Sequence, residues 1–284
     1  VPDAVTAPAR LRVLTYNILF GGVGREALIG DVVGAIAPDV AVFCEVTDPR
    51  AFDVIAGVVG PHRAMSGGRR ERIAIVSRWP LEDISAFGPR WSPKKWVRAT
   101  VVTPTQRLRV HGIHLVPEPL FALELWRRAE VYALMRHLGL CAAPLRIVAG
   151  DFNAYAGGDT LRWDATPFHI RAQFWPMLGA SPRWAIPLLT RDGWVDCYRT
   201  ANPAADGFTM PAWDPHVRID YVFASPSLAA SLQSAGTLTR SVPAAPAPRR
   251  SLSQLLGRAP IPELGGEASD HLPVWADFDC ALLS

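Results

Sequence analysis

The sequence predicts an α/β fold. Apolar runs of strand length alternate with helix-length stretches from about residue 11 to residue 278, the pattern of a sheet-and-helix domain. No linker-like gap interrupts them, so the 284 residues read as a single domain, 11–284, behind an Ala/Pro-rich leader at 1–10. Composition agrees: 49% hydrophobic and 19% charged residues suit a globular chain with a sizeable core and exclude a disordered one.

In chain order, Arg10–Ile18 is β-rich and alternating, and forms a first strand. Arg25–Ala37 reads as a helix that Pro38 stops. Asp39–Val46 and Arg72–Arg78 are apolar runs of strand length, the second ending at Trp79-Pro80. Trp96–Val102 and Leu108–Leu115 flank Pro104-Thr105-Gln106, which suggests a hairpin. The longest helix is expected over Pro119–Leu140. Pro119 suits its first turn, and Leu125, Ala129, Tyr132 and Met135 recur at helical spacing while Arg127, Arg128 and Arg136 fall elsewhere. Leu145–Ala149 is a buried strand that delivers Gly150-Asp151, and Ile219–Ala224 and Leu272–Phe278 are two more strands. Two inserted stretches break the pattern. Thr160–Asp192 carries the rings of Trp163, Phe168, His169, Phe174, Trp175 and Trp184, and Thr239–Ala268 is rich in Pro, Ala and Arg. Loops this long are usually functional or disordered.

Several classes are excluded. No apolar run approaches the length that spans a bilayer. Cys44, Cys141, Cys197 and Cys280 are scattered without a Cys-x-x-Cys pair, so they form neither a zinc motif nor a disulfide framework and read as buried free thiols. A net charge of +3 permits an anionic substrate without demanding one. The chain starts at Val1 and shows no signal peptide, which is compatible with a cytoplasmic protein or with a secreted one after processing.

The chemistry sits at strand ends. In Gly150-Asp151-Phe152-Asn153, the two polar residues are two apart. If the strand runs on to Asn153, they project together from its C-terminal end, where sites form in open α/β sheets. A carboxylate there orients or deprotonates a water, and an amide hydrogen-bonds a phosphate oxygen; the same pair also suits a turn that satisfies its own backbone. Ser269-Asp270-His271 stands before the last strand. Asp270, adjacent in sequence, points elsewhere, so His271 needs another acid. Asp220, inside the apolar run Ile219–Ala224, is the candidate, because an unpaired charge there is costly. Such a pair fixes the imidazole tautomer and raises its basicity. Asn17 and Glu45 each close an apolar run in the amino-terminal half, and a Glu in that position suits Mg²⁺, which takes carboxylate oxygens and keeps several waters. His114 ends another strand, whereas His111, three residues earlier, faces the other way and is structural. Together these groups suit metal-assisted attack on a phosphate ester.

Asn17, Glu45, His114, Gly150-Asp151-Phe152-Asn153, Arg218-Ile219-Asp220-Tyr221 and Ser269-Asp270-His271 occur in the order used by the endonuclease/exonuclease/phosphatase superfamily, which the chain resembles over nearly its whole length. The resemblance implies a four-layer sandwich of two packed mixed sheets flanked by helices. It also implies a Mg²⁺ ion, for which Mn²⁺ substitutes, with Glu45 as principal ligand and Asn17 and Asp270 nearby. Asp151 would position or deprotonate the attacking water, Asn153 and His271 would hold the scissile phosphate, and Asp220 would orient His271. His114 matches the histidine of the deoxyribonuclease-like and sphingomyelinase-like branches, which contacts the phosphate or helps protonate the leaving oxygen. Leu19 departs from the pattern, standing where exonuclease III-like members carry an acid.

The expected partner is a phosphate-ester substrate met by a monomer. Nucleic acid is favoured through a basic surface of Arg69, Arg70, Arg72, Lys94, Lys95, Arg98, Arg249 and Arg250. The expected substrate contacts are Arg98, Arg218, Trp175 and Trp184, the tryptophans stacking on unpaired bases. The alternative is a lipid head group reached through Phe168, Trp175, Ile186, Leu188 and Leu189. The complete residue set argues against an inactive binding module.

Overall fold

The computed structural model describes residues 10–68, 71–117, 121–166, 168, 171, 182–238 and 268–283. The expectations placed on 1–9, Arg69, Arg70, Trp175, Arg249 and Arg250 lie outside the described residues. The strands are β1 (Arg10–Asn17), β2 (Val40–Val46), β3 (His62–Met65), β4 (Arg72–Ser77), β5 (Leu81–Phe87), β6 (Trp96–Val102), β7 (Arg107–His114), β8 (Arg146–Asp151), β9 (Val195–Asp196), β10 (Asp220–Ala224), β11 (Leu232–Thr237) and β12 (Val274–Asp279). The helices are α1 (Glu26–Ile36), α2 (Pro49–Gly57), α3 (Phe121–Gly139), α4 (Ile186–Arg191), α5 (Cys197–Ala201) and α6 (Pro226–Ala229).

These strands build two six-stranded sheets, ordered β11-β12-β1-β2-β4-β3 and β5-β6-β7-β8-β10-β9. Each is mixed: β1–β2 and β7–β8 are parallel, and their other neighbours antiparallel. The sheets pack face to face, with helices outside, so the expected sandwich holds. Strand alternation divides the side chains. Val13 and Val42 enter the core between the sheets, while Leu14, Tyr16 and Phe43 pack outward with Ile29 and Val33 of α1 and Phe52 and Ile55 of α2. On the second sheet Gly112 faces inward, because a side chain there would meet Val42 and Ile73 of the first sheet. His111 therefore faces outward, against Phe87 and His137. By the same alternation, Asn17, His114, Asp151 and the Asp220 paired opposite Asp151 all face the gap between the sheets, at one end of it.

Two expectations are corrected. The buried face of α3 is not the Leu125–Ala129–Tyr132–Met135 stripe: Leu125 is 46% and Tyr132 60% exposed. The buried face carries Val131, Leu134 and Leu138 together with Glu124, Arg127 and Glu130. Polar groups occupy it because they hold loops: Glu124 accepts from the Trp184 and Ala185 N–H groups and from Arg127, which in turn donates to the Val116 carbonyl. Ile186 and Leu189 are likewise core residues of α4, so they form no lipid-facing patch. All four cysteines are free thiols, as expected, but only Cys44 and Cys197 are buried, while Cys141 and Cys280 are half-buried. No described helix is long and apolar enough to cross a membrane.

His111 has a measurable consequence. Burial holds its pKa down at about 3, and Nδ1 lies 3.2 Å from the Ile147 carbonyl, which fixes Nδ1 as the protonated nitrogen of the neutral ring. A folded-state pKa below the unfolded value of about 6.5 means that the unfolded chain binds the proton first as pH falls. The stability due to the neutral ring is thus complete above pH about 6.5 and is lost between there and about 3. In urea melts across that range, His111→Gln should flatten the pH slope; an unchanged slope would assign it to other groups.

Candidate active site

The site forms where the C-terminal ends of β1, β2, β7 and β8 meet the start of β10 and the segment leading into β12. Local sequence aims each group. Strict alternation would put Glu45 on the Phe43 face, toward the helices. Instead β2 bulges between Phe43 and Val46, and Glu45 takes the left-handed conformation (φ 64°). A bulge re-aims a side chain, and here the Glu45 carboxylate reaches Asn17 Nδ2 at 3.0 Å and the Phe20 N–H at 3.0 Å. Gly150 (φ 150°) lets β8 lie so close to β7 that a side chain at this position would meet the Ile113 carbonyl at 1.8 Å. That approach sets His114 beside Asp151.

Asp151 is the hub. Its Oδ2 accepts from Asn17 Nδ2 at 3.0 Å and lies 3.5 Å from His114 Nε2 and 3.9 Å from His271 Nε2. Its Oδ1 accepts from the Asn153 N–H at 2.9 Å. Burial, reinforced by the Asp220 carboxylate, pushes the Asp151 pKa up to about 7. Asp220 Oδ2 lies 2.9 Å from His271 Nδ1, so the expected pair is present. Burial opposes charge on His271, but Asp220, Asp270 and Asp151 surround it and raise its pKa well above the ordinary value. The opposite holds at His114, where burial and Lys94 keep the ring neutral. The His271 segment is pinned at both ends: Ser269 Oγ donates to the Asn17 carbonyl at 2.7 Å, and the Leu272 N–H donates to the Thr209 carbonyl at 2.7 Å.

Three residues near the site were not singled out by sequence. Lys94 was read only as surface charge, yet its Nζ lies 2.8 and 3.0 Å from the ring nitrogens of His114 and 2.9 Å from Glu71. Glu71, in the basic run Arg69–Arg72, carries no sequence signal of its own. Arg25 donates to the carbonyls of Ile18, Leu19 and Ala268, joining the loop after β1 to the approach to Asp270.

The remaining expectations divide. Asn153 does reach the site, but not along a continued strand: β8 ends at Asp151, and Asn153 adopts a left-handed turn (φ 49°) with its Nδ2 on the Leu115 carbonyl. Asn17 turns its amide nitrogen, not its oxygen, to Glu45 and Asp151, while Oδ1 accepts from the Leu19 N–H. It therefore bridges two acids in this arrangement. Trp184 is half-buried, its N–H held by Glu124. Arg98 lies under α3 against Ser85 and His137, on the face opposite His114.

Arg218, expected at the substrate, is instead enclosed by its own chain. It is 1% exposed, forks onto Asp159 (2.8 and 2.9 Å) and Asp196 (3.0 and 2.7 Å), and its guanidinium lies 4.4 Å from the Tyr221 ring. Removing one partner of such a network strands buried charges. Arg218→Met should cost about 3–5 kcal/mol of stability, read from a urea melt. A variant of wild-type stability would show that the network contributes nothing.

A divalent cation fits this donor set. Glu45 is half-buried, and each of its oxygens accepts one of the hydrogen bonds described, which leaves each a further lone pair for a cation. Asp270 and Glu45 both act electrostatically on the Arg25 guanidinium. Such hard donors suit Mg²⁺ or Mn²⁺ and disfavour soft ions. Asp151, Asp220 and His271 also come within 4.8 Å of one another, but two of them are already bound to each other.

A two-sheet sandwich with acids, amides and imidazoles gathered at one mouth defines a hydrolase of phosphoric esters. The model of the Endonuclease/Exonuclease/phosphatase family matches residues 14–271, and the chain belongs to that family, whose members depend on a divalent metal. Similar solved structures include a 3′-5′ exonuclease (NExo) from Neisseria meningitidis, 21% identical with a TM-score of 0.64, covering 95% of this chain and 100% of that one. An AP endonuclease from Archaeoglobus fulgidus is also 21% identical, with a TM-score of 0.64 over 95% of this chain and 99% of that one. TDP2 from Caenorhabditis elegans, in truncated form, is 17% identical, with a TM-score of 0.62 over 95% and 98%. At these identities the likeness is one of fold. No curated protein matches the sequence.

Proposed function

We propose that the protein is a Mg²⁺-dependent phosphodiesterase acting on nucleic acid, at a strand or a strand end, as a monomer of one domain. The observation that carries the reading is the crowding of Asn17, His114 and His271 around the buried Asp151 carboxylate, with His271 fixed by Asp220. The similar exonuclease and AP endonuclease structures favour nucleic acid, as does that of a 3′ phosphatase from Neisseria bound to product DNA hairpin.

In this reading Asp151, with its raised pKa, accepts the proton of the attacking water near neutral pH. As the water oxygen bonds to phosphorus, the bond to the leaving oxygen breaks and the electron pair departs with it. Protonated His271 donates from Nε2 to a non-bridging phosphate oxygen, its Nδ1–H held by Asp220. Asn153 and neutral His114 complete the phosphate cradle, and the Lys94 ammonium adds positive charge beside it. Glu45 and Asp270 would hold the cation, with the Asn17 amide linking Glu45 to Asp151, and the ion would neutralise charge developing on the phosphate.

The test is a panel of plasmid DNA, single-stranded DNA, 5′-tyrosyl DNA, sphingomyelin, phosphoinositides and bis-nitrophenyl phosphate. EDTA should silence turnover, and Mg²⁺ or Mn²⁺ should restore it. Full activity in EDTA rules out the metal. Cleavage of sphingomyelin or phosphoinositide, with every nucleic acid untouched, overturns the substrate assignment.

A further inference from the structure

Trp91, in the loop between β5 and β6, meets Trp126 of α3 edge-to-face, with ring centroids 5.4 Å apart at 80°. They remain 47% and 40% exposed, an unusual cost for two large rings outside the core. The pair is held rigidly. Ser92 Oγ donates to Glu130 Oε1 at 2.6 Å, one helical turn beyond Trp126, and Lys95 Nζ donates to the Pro89 carbonyl at 2.8 Å across the same loop. The other Glu130 oxygen accepts from the Val116 N–H at 3.0 Å, two residues after His114. One buried carboxylate thus fixes both the Trp91 loop and the strand end that carries His114.

The surroundings are positive. Between residues 88–95 and 121–131, Glu124 and Glu130 are buried, whereas Arg90 and Arg128 are exposed. The loop also runs directly into the site: Lys94, three residues after Trp91, lies against His114. Three residues span at most about 11 Å between Cα atoms.

Resting on the nucleic-acid reading above, we infer that Trp91 and Trp126, with the exposed Arg90 next to Trp91 in the chain, form a stacking subsite for a base of the substrate strand close to the scissile phosphate. Aromatic faces bind any base, and adjacent cations grip the backbone. A lipid interface is the weaker occupant, because each ring covers part of the other and neither stands free to insert.

The experiment measures binding of a fluorescent oligothymidylate, and of an abasic strand of equal length, in EDTA so that nothing is cleaved. The wild type should prefer the base-bearing strand. Trp91→Ala and Trp126→Ala should each lose about tenfold in affinity for it and nothing for the abasic strand. Trp91→Phe should retain most of the affinity, and bis-nitrophenyl phosphate hydrolysis should be unchanged in all variants. If Trp126→Ala fails to fold, the Ala and Phe variants at Trp91 carry the test. Equal wild-type affinity for the two strands, or no effect of Trp91→Ala, overturns the subsite. So does tryptophan-dependent binding to phosphatidylserine vesicles without strand preference. Because binding is read without turnover, a failed subsite and a failed substrate assignment are separate results.

Discussion

Asp151→Asn should lower kcat by about 10²–10⁴, the usual worth of a positioned general base, with KM little changed. The substitution keeps the side chain's shape and removes its basicity. Both carboxylate oxygens now accept, one from Asn17 Nδ2 and one from the Asn153 N–H. An amide supplies a single oxygen, so one of these contacts turns donor against donor. Relief from the facing Asp220 charge, which helps raise the Asp151 pKa, works in the opposite direction. A thermal melt beside the kinetics separates the two effects. A folded variant that loses only two- or threefold would make Asp151 a structural residue, and the mechanism would fall with it.

The second large effect concerns Asp220 and His271. Each single alanine variant should be severely impaired, and the double variant little worse than either, because the two act as one unit. Stability should show a sharper asymmetry. Asp220 Oδ1 has no hydrogen-bond partner among the described residues, and its Oδ2 is paired with His271. His271→Ala therefore leaves a buried carboxylate with that pairing gone, close to Asp151. Removing one member of a buried pair typically costs about 3–5 kcal/mol, more than removing both. The double variant should accordingly melt above His271→Ala. Additive losses in rate, or a double variant less stable than both singles, would show that the residues work separately.

The site residues were legible because acids and amides closing apolar strands are expensive unless they have work to do. Asp220 inside an apolar run pointed to a partner, and the partner is there. What sequence could not supply was long-range pairing. Arg218 reads as a substrate contact until Asp159 and Asp196 are seen to enclose it. The inward face of α3 was misread for the same reason: its Glu124, Arg127 and Glu130 are buried because distant loops need their hydrogen bonds. The strand β5 is exposed along most of its length and offers no apolar alternation to detect. The helix α2 was missed although Asp48-Pro49 announced it, with Asp48 capping the Ala51 N–H at 2.8 Å.

Of the six non-glycine residues with positive φ among those described, Leu19, Phe20, Glu45 and Asn153 line this one mouth. Each such conformation costs on the order of 1 kcal/mol or more, and two of them bear side chains central to the chemistry. Glycine at either position would relax the backbone while removing the carboxylate proposed for the cation or the amide proposed for the phosphate. Glu45→Gly and Asn153→Gly should therefore lose activity while losing little stability, the two readouts parting at the same residue.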